Sequence, residues 1–385
     1  MFRKIVKQSI EYLTSNDYQT LNLIELSSKR VIHNVRLISS FHPSFGIVAV
    51  LKSNAYGHGL IEMSKILNDA ELNFIAVDGY FEAAKVRDIS RHKLLVMGYI
   101  KPENVKLIDT KKCSFVIQDT VGLLALASLG KPINIHVEIN TGMNRLGLGM
   151  NEIGDYLKVL KDHPSLRLEG VMTHLADADN ENSDEFTEKQ VKLFDLTVQD
   201  VLSQGFKPKY IHIAQTAGST KVQSIYANAI RLGIGLYGIN PLSQQDASFS
   251  KLEKLQPVLE LKSTLIKCID LRKGDKVSYN GIFTAPKAMR IGVMPIGYYE
   301  GVPRELSNKG QVSHMGNVLN IVGRVCMNHT MIDITGLNLN VNDTITVISA
   351  DQSMPNSISS ISKGHNLFSY GLVTSLSSSI RRIIK

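Results

Sequence analysis

The sequence predicts an α/β protein, with a (β/α)8 TIM-type barrel followed by a C-terminal, mostly antiparallel β domain. Short apolar runs alternate with longer helical patterns from about residue 21 to 240, as in repeated strand–helix units. Shorter alternating runs with turns follow, and no long helix separates them. A length of 385 residues favours two domains over one. We therefore place the barrel at residues 18–245 and the β domain at residues 246–385.

The barrel prediction depends on the order and number of the strand–helix units. The apolar runs predicted as strands are 21–26, 46–51, 73–77, 93–97, 114–117, 133–139, 166–172, 210–213 and 229–232. The helical patterns between them are 27–39, 60–68, 80–87, 120–129, 151–160 and 183–202. Because counting units does not close a barrel, an open doubly wound sheet is the alternative.

The pattern of apolar and polar residues changes after residue 240. Residues 243–248 are predicted to be a linker, and a helical finish is predicted near the C-terminus. The alternating runs of the β domain are 259–268, 276–279, 290–295, 311–314, 318–321, 331–334 and 344–348. The first 17 residues form an extension, for which we expect a short amphipathic helix that packs on the β domain.

Composition excludes several classes of protein. The net charge is +8, but the basic residues are scattered and the chain has no Trp, so nucleic-acid binding is not supported. Three widely separated cysteines have neither metal-ligand spacing nor an even disulfide framework, which favours a reducing compartment and no metal. The basic residues near the N-terminus precede no long apolar run, so neither a signal peptide nor a membrane span is expected. We expect a cytoplasmic protein.

Lys52 is the most informative residue. It follows the apolar run 45–51, which is typical of a fully buried strand, and it precedes a loop containing Gly57 and Gly59. A lysine at the carboxyl end of such a strand stands where α/β enzymes place their chemistry. Desolvation there favours the neutral amine, which can condense with a carbonyl group. The alternative is a lysine that extends from a surface loop.

The segment Lys52-Ser-Asn-Ala-Tyr-Gly-His-Gly resembles the cofactor-lysine signature of the alanine racemase family. Members of that family are pyridoxal 5'-phosphate enzymes built from a barrel and a β domain. The resemblance continues in order along nearly the whole chain. The other matching segments are 140–147, 172–174, 212–217, 231–238, 277–281, 297–301 and 323–327.

The resemblance implies two-base racemisation of L-alanine and D-alanine, which supplies D-alanine for peptidoglycan. Lys52 would carry the cofactor and serve as one acid/base group. Tyr279, reaching in from the other subunit of a homodimer with shared active sites, would serve as the second. A phenol acts as a base only when it is ionised, and cationic neighbours favour its ionisation. Taken alone, Tyr279 is more typical of a hydrogen-bonded turn before Asn280-Gly281.

The resemblance also implies which residues hold the cofactor and the substrate. Arg231 would face the pyridine nitrogen and keep it unprotonated, because two cationic centres cannot share that contact. The implied cofactor-binding residues are Lys52, Tyr56, Arg145, His174, Thr216, Arg231, Gly233 and Ile234. The implied substrate-binding residues are Arg145, Tyr298 and Met327.

Four residues depart from the family pattern. Glu138 stands where many members have a carbamylated lysine, so we expect Glu138 to brace Arg145 and no carbamate to form. Asn328 replaces a common aspartate. Val302 and Ser377 replace tyrosines, and a smaller residue at 377 weakens the expectation of strict alanine selectivity. Racemisation of serine or of a broader set of amino acids is therefore an alternative function.

Four further classes of protein fit the sequence less well. A related decarboxylase would need an acidic partner at the pyridine nitrogen, where this chain has Arg231. A non-catalytic pyridoxal-phosphate-binding barrel protein would lack the domain that carries Tyr279. The GxGxxG string 233–238 comes too late in the chain for a dinucleotide fold. The acidic segment 177–182 lacks the turn glycine of a calcium loop.

Overall fold

The predicted barrel is confirmed, and the open-sheet alternative is wrong. In the computed structural model, which describes residues 19–385, eight parallel strands form a closed barrel in chain order from β2 to β9. Gly46 and Ile47 of the first barrel strand pair with Ala229 and Ile230 of the last one. The first nine strands of the chain are β1 (Asn22–Leu26), β2 (Gly46–Val50), β3 (Phe74–Val77), β4 (Lys93–Val96), β5 (Cys113–Ile117), β6 (Ile133–Glu138), β7 (Leu166–Met172), β8 (Tyr210–His212) and β9 (Ala229–Leu232).

Helices cover most of the connections between these strands. The first one begins after Ser27, whose side chain accepts a hydrogen bond from the Arg30 N–H and caps the helix. The helices of this part are α1 (Ser28–Phe41), α2 (Leu60–Leu67), α3 (Tyr80–Val86), α4 (Thr120–Ala127), α5 (Ile153–Asp162), α6 (Asp184–Ser203) and α7 (Phe249–Leu252). Short 3-10 turns follow β4, β8 and β9 instead of full helices, at Pro102–Leu107, Gly218–Thr220 and Ile234–Tyr237.

Strand β1 is not a barrel strand, contrary to the expectation for residues 21–26. It pairs antiparallel with Leu259–Thr264, the first strand of the C-terminal region. The sequence pattern explains the difference. The barrel strand β3 is buried at every position, whereas β1 alternates, with Ile24 and Leu26 buried and Glu25 between them half-buried. Such alternation is typical of an antiparallel strand with one solvated face.

The C-terminal region is antiparallel, as predicted. Its strands form a six-stranded sheet in the order β16-β15-β18-β10-β1-β19, a three-stranded sheet β11-β14-β17 and the hairpin β12-β13. The strands are β10 (Leu259–Thr264), β11 (Lys267–Leu271), β12 (Lys276–Val277), β13 (Phe283–Thr284), β14 (Met289–Met294), β15 (Gln311–His314), β16 (Asn317–Asn320), β17 (Thr330–Asp333), β18 (Thr344–Ile348) and β19 (Arg381–Ile384), with helices α8 (Ile358–His365) and α9 (Ser369–Thr374).

The chain divides into two compact units at positions that differ from the expected boundary. One unit is Ser27–Val258 with the last two residues, and the other contains 19–26 and Leu259–Ile383. The segment after the predicted linker stays with the barrel because the N–H of Val258 donates to the carbonyl of Tyr237. Asn34 of α1 also binds the backbone of Gln256 in both directions. The expected N-terminal helix lies outside the described residues.

Residues 19–385 contain neither a membrane-spanning helix nor a cluster of metal ligands. No helix in that range combines the length and apolar character that crossing a membrane requires. The same range contains no group of three or more His, Cys, Asp or Glu side chains arranged to hold a metal ion.

Candidate active site

A cavity of about 360 Å³ gathers most of the predicted site residues of the barrel unit. Lys52 enters it directly after β2, at the carboxyl end of the strand, where barrels carry their chemistry. The predicted residues that line the cavity are Lys52, Tyr56, Glu138, Arg145, His174, Arg231 and Gly233. A larger groove of about 510 Å³ between α1 and residues 69–71 contains none of the predicted residues.

Lys52 is followed by a left-handed turn. Four successive residues have φ between 51° and 56°, namely Ser53, Asn54, Ala55 and Tyr56. Residues other than glycine seldom adopt this left-handed conformation, and then usually one at a time. Two polar contacts support the turn. The N–H of Asn54 donates to Glu82, and the side-chain oxygen of Asn54 accepts from the N–H of Leu60 at the start of α2. The strained turn therefore fixes the direction of the backbone after Lys52.

Arg231 is a buried cation held only by neutral groups. Its side chain is 3% exposed. The guanidinium donates to the carbonyls of Thr173, His212 and Ile213 at 2.6–3.0 Å. It also donates to Nδ1 of His212 at 3.0 Å and to Nδ1 of His174 at 3.2 Å. Burial lowers the pKa of Arg231 to about 10, so the side chain is still a cation at neutral pH.

His174 is neutral. Burial lowers its pKa to about 3, and the positive charges of Arg231, Arg145 and Lys52 act in the same direction. Its Nδ1 accepts from Arg231, so the ring proton lies on Nε2. The expected contact between the histidine and the pyridine-side arginine is thus present within the barrel unit.

Glu138 and Arg145 differ in burial and do not form an ion pair with each other. Glu138 is 6% exposed, and burial raises its pKa against the opposing effect of Arg231 and then of Arg145. Arg145 is exposed. Glu138 therefore acts on Arg145 through space in this structure, without the direct contact that bracing requires.

The expected phosphate-binding residues cluster where β9 ends. Gly233 lies so close to Tyr56 that a Cβ on it would stand 3.2 Å from the tyrosine Oη. Thr216 is buried, and its hydroxyl accepts from the N–H of Gly235 at 3.1 Å. Ile234 begins the 3-10 turn. The GxGxxG string thus forms a short turn with no strand after it in the barrel, unlike a dinucleotide-binding unit.

The other unit presents the remaining predicted residues together on its surface. Tyr279, Met327 and Tyr298 are 66%, 55% and 44% exposed. Their segments are tied to one another, since Ser278 donates to the Arg324 carbonyl and the N–H of Tyr298 donates to the carbonyl of Cys326. Large exposed apolar side chains this close together are unusual for a surface facing only water.

Comparisons with known proteins agree over the whole described chain. The sequence matches the family "Alanine racemase, N-terminal domain" over residues 26–241 and "Alanine racemase, C-terminal domain" over residues 258–384. This chain belongs to the alanine racemase family. The second match begins at Val258, where the division between the two compact units also falls.

Individual relatives cover nearly the full chain. An alanine racemase of Methanococcus maripaludis is 32% identical over 369 residues, which are 94% of this chain and 97% of the relative. One from Francisella tularensis is 31% identical over 94% of this chain and the whole of the relative. The structure of a Bacillus anthracis alanine racemase with bound L-Ala-P is 28% identical, with a TM-score of 0.86 over 95% of both chains.

Two of the departures from the family pattern, Asn328 and Ser377, contact Glu300. The amide of Asn328 donates to Glu300 Oε1 at 2.7 Å, and the N–H of Ser377 donates to the Glu300 carbonyl. Val302 is buried. Asn328 thus supplies a donor to a carboxylate, where an aspartate would repel it.

Sequence reasoning missed several residues of the barrel site. Asp78, Met97 and Gln215 also line the cavity. His212 and His136 lie beneath Arg231, both fully buried. A signal for the histidines was present, because each is a polar residue within a predicted barrel strand, although Asn134 and Glu138 of β6 share that property.

Proposed function

We propose that this chain interconverts L-alanine and D-alanine with pyridoxal 5'-phosphate as cofactor, working as a homodimer with shared active sites. The observation that carries the proposal is the position of Lys52, at a strand end in the same cavity as Arg231 and His174. Racemases of this family from other organisms match nearly the full chain. Its product would supply D-alanine for peptidoglycan.

The cavity fits the cofactor. Because Gly233 has no side chain, the space beside Tyr56 is free. Lys52 places an amine in the same cavity. Tyr56, Thr216, Gly233 and Ile234 would hold the phosphate, and Arg231 would face the ring nitrogen. Pyridoxal phosphate supplies an electron sink for the charge left when the Cα proton departs.

Racemisation requires proton transfer on both faces of the substrate, and two residues are assigned to it. Lys52 holds or accepts the proton on one face. Tyr279 of the partner subunit does so on the other. The high exposure of Tyr279 supports this role, because an active-site phenol so exposed needs a partner to cover it.

Arg145, Tyr298 and Met327 would bind the substrate carboxylate, with Arg145 as a charge-assisted donor. Glu138 lies buried near Arg145 and Arg231 and keeps the cavity from carrying only positive charge. It does so without carbamylation of a lysine.

Chiral chromatography after incubation of the cofactor-loaded protein with a panel of L-amino acids tests the function. We expect D-alanine to form fastest, and Lys52→Ala to form none. If no L-amino acid on the panel changes configuration with the loaded protein, the proposed activity is wrong.

The shared site has a sharper test. Lys52→Ala and Tyr279→Phe should each be inactive alone. Unfolding and refolding them together gives mixed dimers with one intact site, so equal mixing should restore about a quarter of the wild-type activity. If dimers that are shown to be mixed recover no activity, then Lys52 and Tyr279 act in the site of one and the same chain. Full turnover of L-alanine by Tyr279→Phe would contradict the role of the phenol.

A further inference from the structure

A line of polar side chains runs through the barrel interior below the active-site cavity. Arg231 contacts Nδ1 of His212 at 3.0 Å, and Nε2 of His212 lies 2.8 Å from Nδ1 of His136. Nε2 of His136 lies 3.5 Å from Oε2 of Glu169. Three consecutive polar side chains therefore connect the cavity to a carboxylate on β7.

The direction of the contacts in this line is set at both ends, because a guanidinium only donates and an ionised carboxylate only accepts. A guanidinium only donates, so Nδ1 of His212 accepts and the proton of that ring lies on Nε2. His212 then donates to Nδ1 of His136, which leaves the His136 proton on Nε2, facing Glu169. Both rings are neutral, because burial lowers the pKa of each below its usual value, and Arg231 lowers both further. The buried Nε2–H of His136 makes no hydrogen bond to a described residue, and the group that it faces at 3.5 Å is the carboxylate of Glu169.

The carboxylate of Glu169 is ionised. Burial would raise its pKa, but contacts from His136, Ser114 and Lys93 outweigh burial and lower the pKa to about 2. Ser114 Oγ donates at 2.5 Å and Lys93 Nζ lies at 3.1 Å. Lys93 is half exposed to solvent. The carboxylate is thus anchored at the far end of the line from the cavity.

The backbone is adapted to bring Glu169 and His136 together. Ile135 pairs with Leu168 and His136 pairs with Gly170, so Glu169 is an extra residue in a β-bulge of β7. Bulges are rare between parallel strands, and they redirect a side chain. Gly170 has no Cβ where one would stand 2.3 Å from Nδ1 of His136. At this point the strand pairing contains an extra residue, and position 170 has no room for a side chain.

We propose that Glu169 is a positioning residue for Arg231, acting through His136 and His212. Its carboxylate selects the tautomer of both rings, so that His212 always offers Arg231 an acceptor. Arg231 is thereby kept as an oriented cation at the cavity floor, with no carboxylate among its hydrogen-bond acceptors. The effect of Glu169 on catalysis rests on the proposed role of Arg231. The assignment of the ring protons on His136 and His212 does not depend on that role.

Neutron diffraction of the perdeuterated protein tests the tautomers without any measurement of activity. Both His136 and His212 should carry one deuterium, on Nε2, and Glu169 should carry none. A deuterium on Nδ1 of either ring, or a protonated Glu169, would overturn the proposal even if the protein racemises alanine. The expected pattern in a protein with no racemase activity would uphold the tautomers and remove only the proposed function.

Kinetics of Glu169→Gln test the consequence, with Glu185→Gln as the matched control. Glu185 also pairs with a lysine, but on the exposed surface of α6. Glutamine keeps the shape of the side chain but accepts or donates, so both tautomers become accessible. We expect kcat to fall roughly tenfold, from the loss of the negative charge that the Nε2–H of His136 faces, with KM for alanine nearly unchanged. The absorption band of the bound cofactor should shift as well.

The control variant should retain the wild-type kcat and absorption band. If Glu169→Gln lowers only the melting temperature and leaves kcat and the band as in the control, the residue is structural and the proposal fails. If that variant does not fold, the neutron measurement on the wild-type protein decides alone.

Discussion

Arg231 illustrates how a single residue can be essential for structure and chemistry at once. Its five hydrogen bonds reach the backbone of three residues and the rings of two histidines. All five acceptors are neutral, so the charge is stabilised by oriented dipoles. A guanidinium offers five donors in a fixed fork, and an ammonium offers only three.

Arg231→Lys should therefore destabilise the protein although the charge is kept. At least two buried acceptors lose their donor, and we expect the free energy of unfolding to fall by about 2–4 kcal/mol. Urea denaturation followed by circular dichroism measures this. Arg290→Lys is the control, because Arg290 is partly exposed and its ion pair with Asp270 is 3.8 Å long. Equal stability of the two variants would contradict the assigned role.

Ser377 is the second residue whose substitution is informative. The family tyrosine that it replaces would narrow the pocket, and Ser377→Tyr should raise the preference for alanine over serine in kcat/KM. One methylene-sized difference in a pocket discriminates by about 1–3 kcal/mol, or roughly tenfold to a hundredfold. Racemisation rates with both substrates measure the ratio. Ser378→Tyr, on the exposed neighbouring residue, is the control, and an unchanged ratio in Ser377→Tyr would remove the pocket argument.

The positions of the barrel site residues were predictable from sequence where a motif specified them, and not where burial alone decides the position. Lys52 and Arg231 lie in the same cavity, as the matching segments indicated. The expected brace of Arg145 by Glu138 is not a direct contact, because the sequence does not show which of two long side chains turns to solvent. Glu169 was missed because a glutamate in a strand is ordinarily a solvated residue, and only the bulge redirects it.

Among the elements, the turn after Lys52 stores the most backbone strain. Four successive residues occupy the left-handed region, and Asn54 both tolerates that region and caps the following helix. The turn therefore links the position of the lysine to the start of α2.

Asn54→Ala should destabilise the protein more than Asn54→Gly. Both lose the hydrogen bond to the Leu60 N–H, but glycine adopts positive φ without strain whereas alanine costs about 1–2 kcal/mol there. Thermal melting of the two variants gives the difference directly, with glycine as the built-in control. Equal melting temperatures would show that the turn relaxes when its side chain is removed.

Burial patterns explain which elements were predictable. The eight barrel strands were found because most of them are apolar runs, and no predicted end differs from the structure by more than one residue. Residues 259–268 were predicted as one strand but form two in different sheets, β10 and β11, since the chain changes sheets at Leu265-Ile266. Nothing in the apolar pattern marks that change, because both sheets bury the same kinds of side chain.

For the molecule as a whole, the buried histidines predict how stability depends on pH. His136 and His212 are neutral when folded, since burial lowers the pKa of both below the ordinary 6.5. In the unfolded chain they bind protons below that pH. The unfolded state then holds more protons, so stability falls as the pH falls.

Between about pH 7.5 and 5.5, the free energy of unfolding should decrease, because both histidines take up protons in the unfolded chain and not in the folded one. Urea titrations of the cofactor-free protein at fixed concentration measure this. Between about pH 7.5 and 8.5 the two histidines contribute no change, which serves as the control. If the protein is equally stable at pH 7.5 and at pH 5.5, the two histidine rings are protonated in the folded protein as well.

The position of β1 has a consequence for how the protein is made. This strand lies between β10 and β19 in its sheet, so both of its partners are encoded far downstream of it. On the ribosome, residues 22–26 stay unpaired along both edges until residues 259–264 and then 381–384 have been translated. A stop codon ahead of residue 381 would leave one of those edges unpaired, and it should yield aggregates more readily than a shortened enzyme.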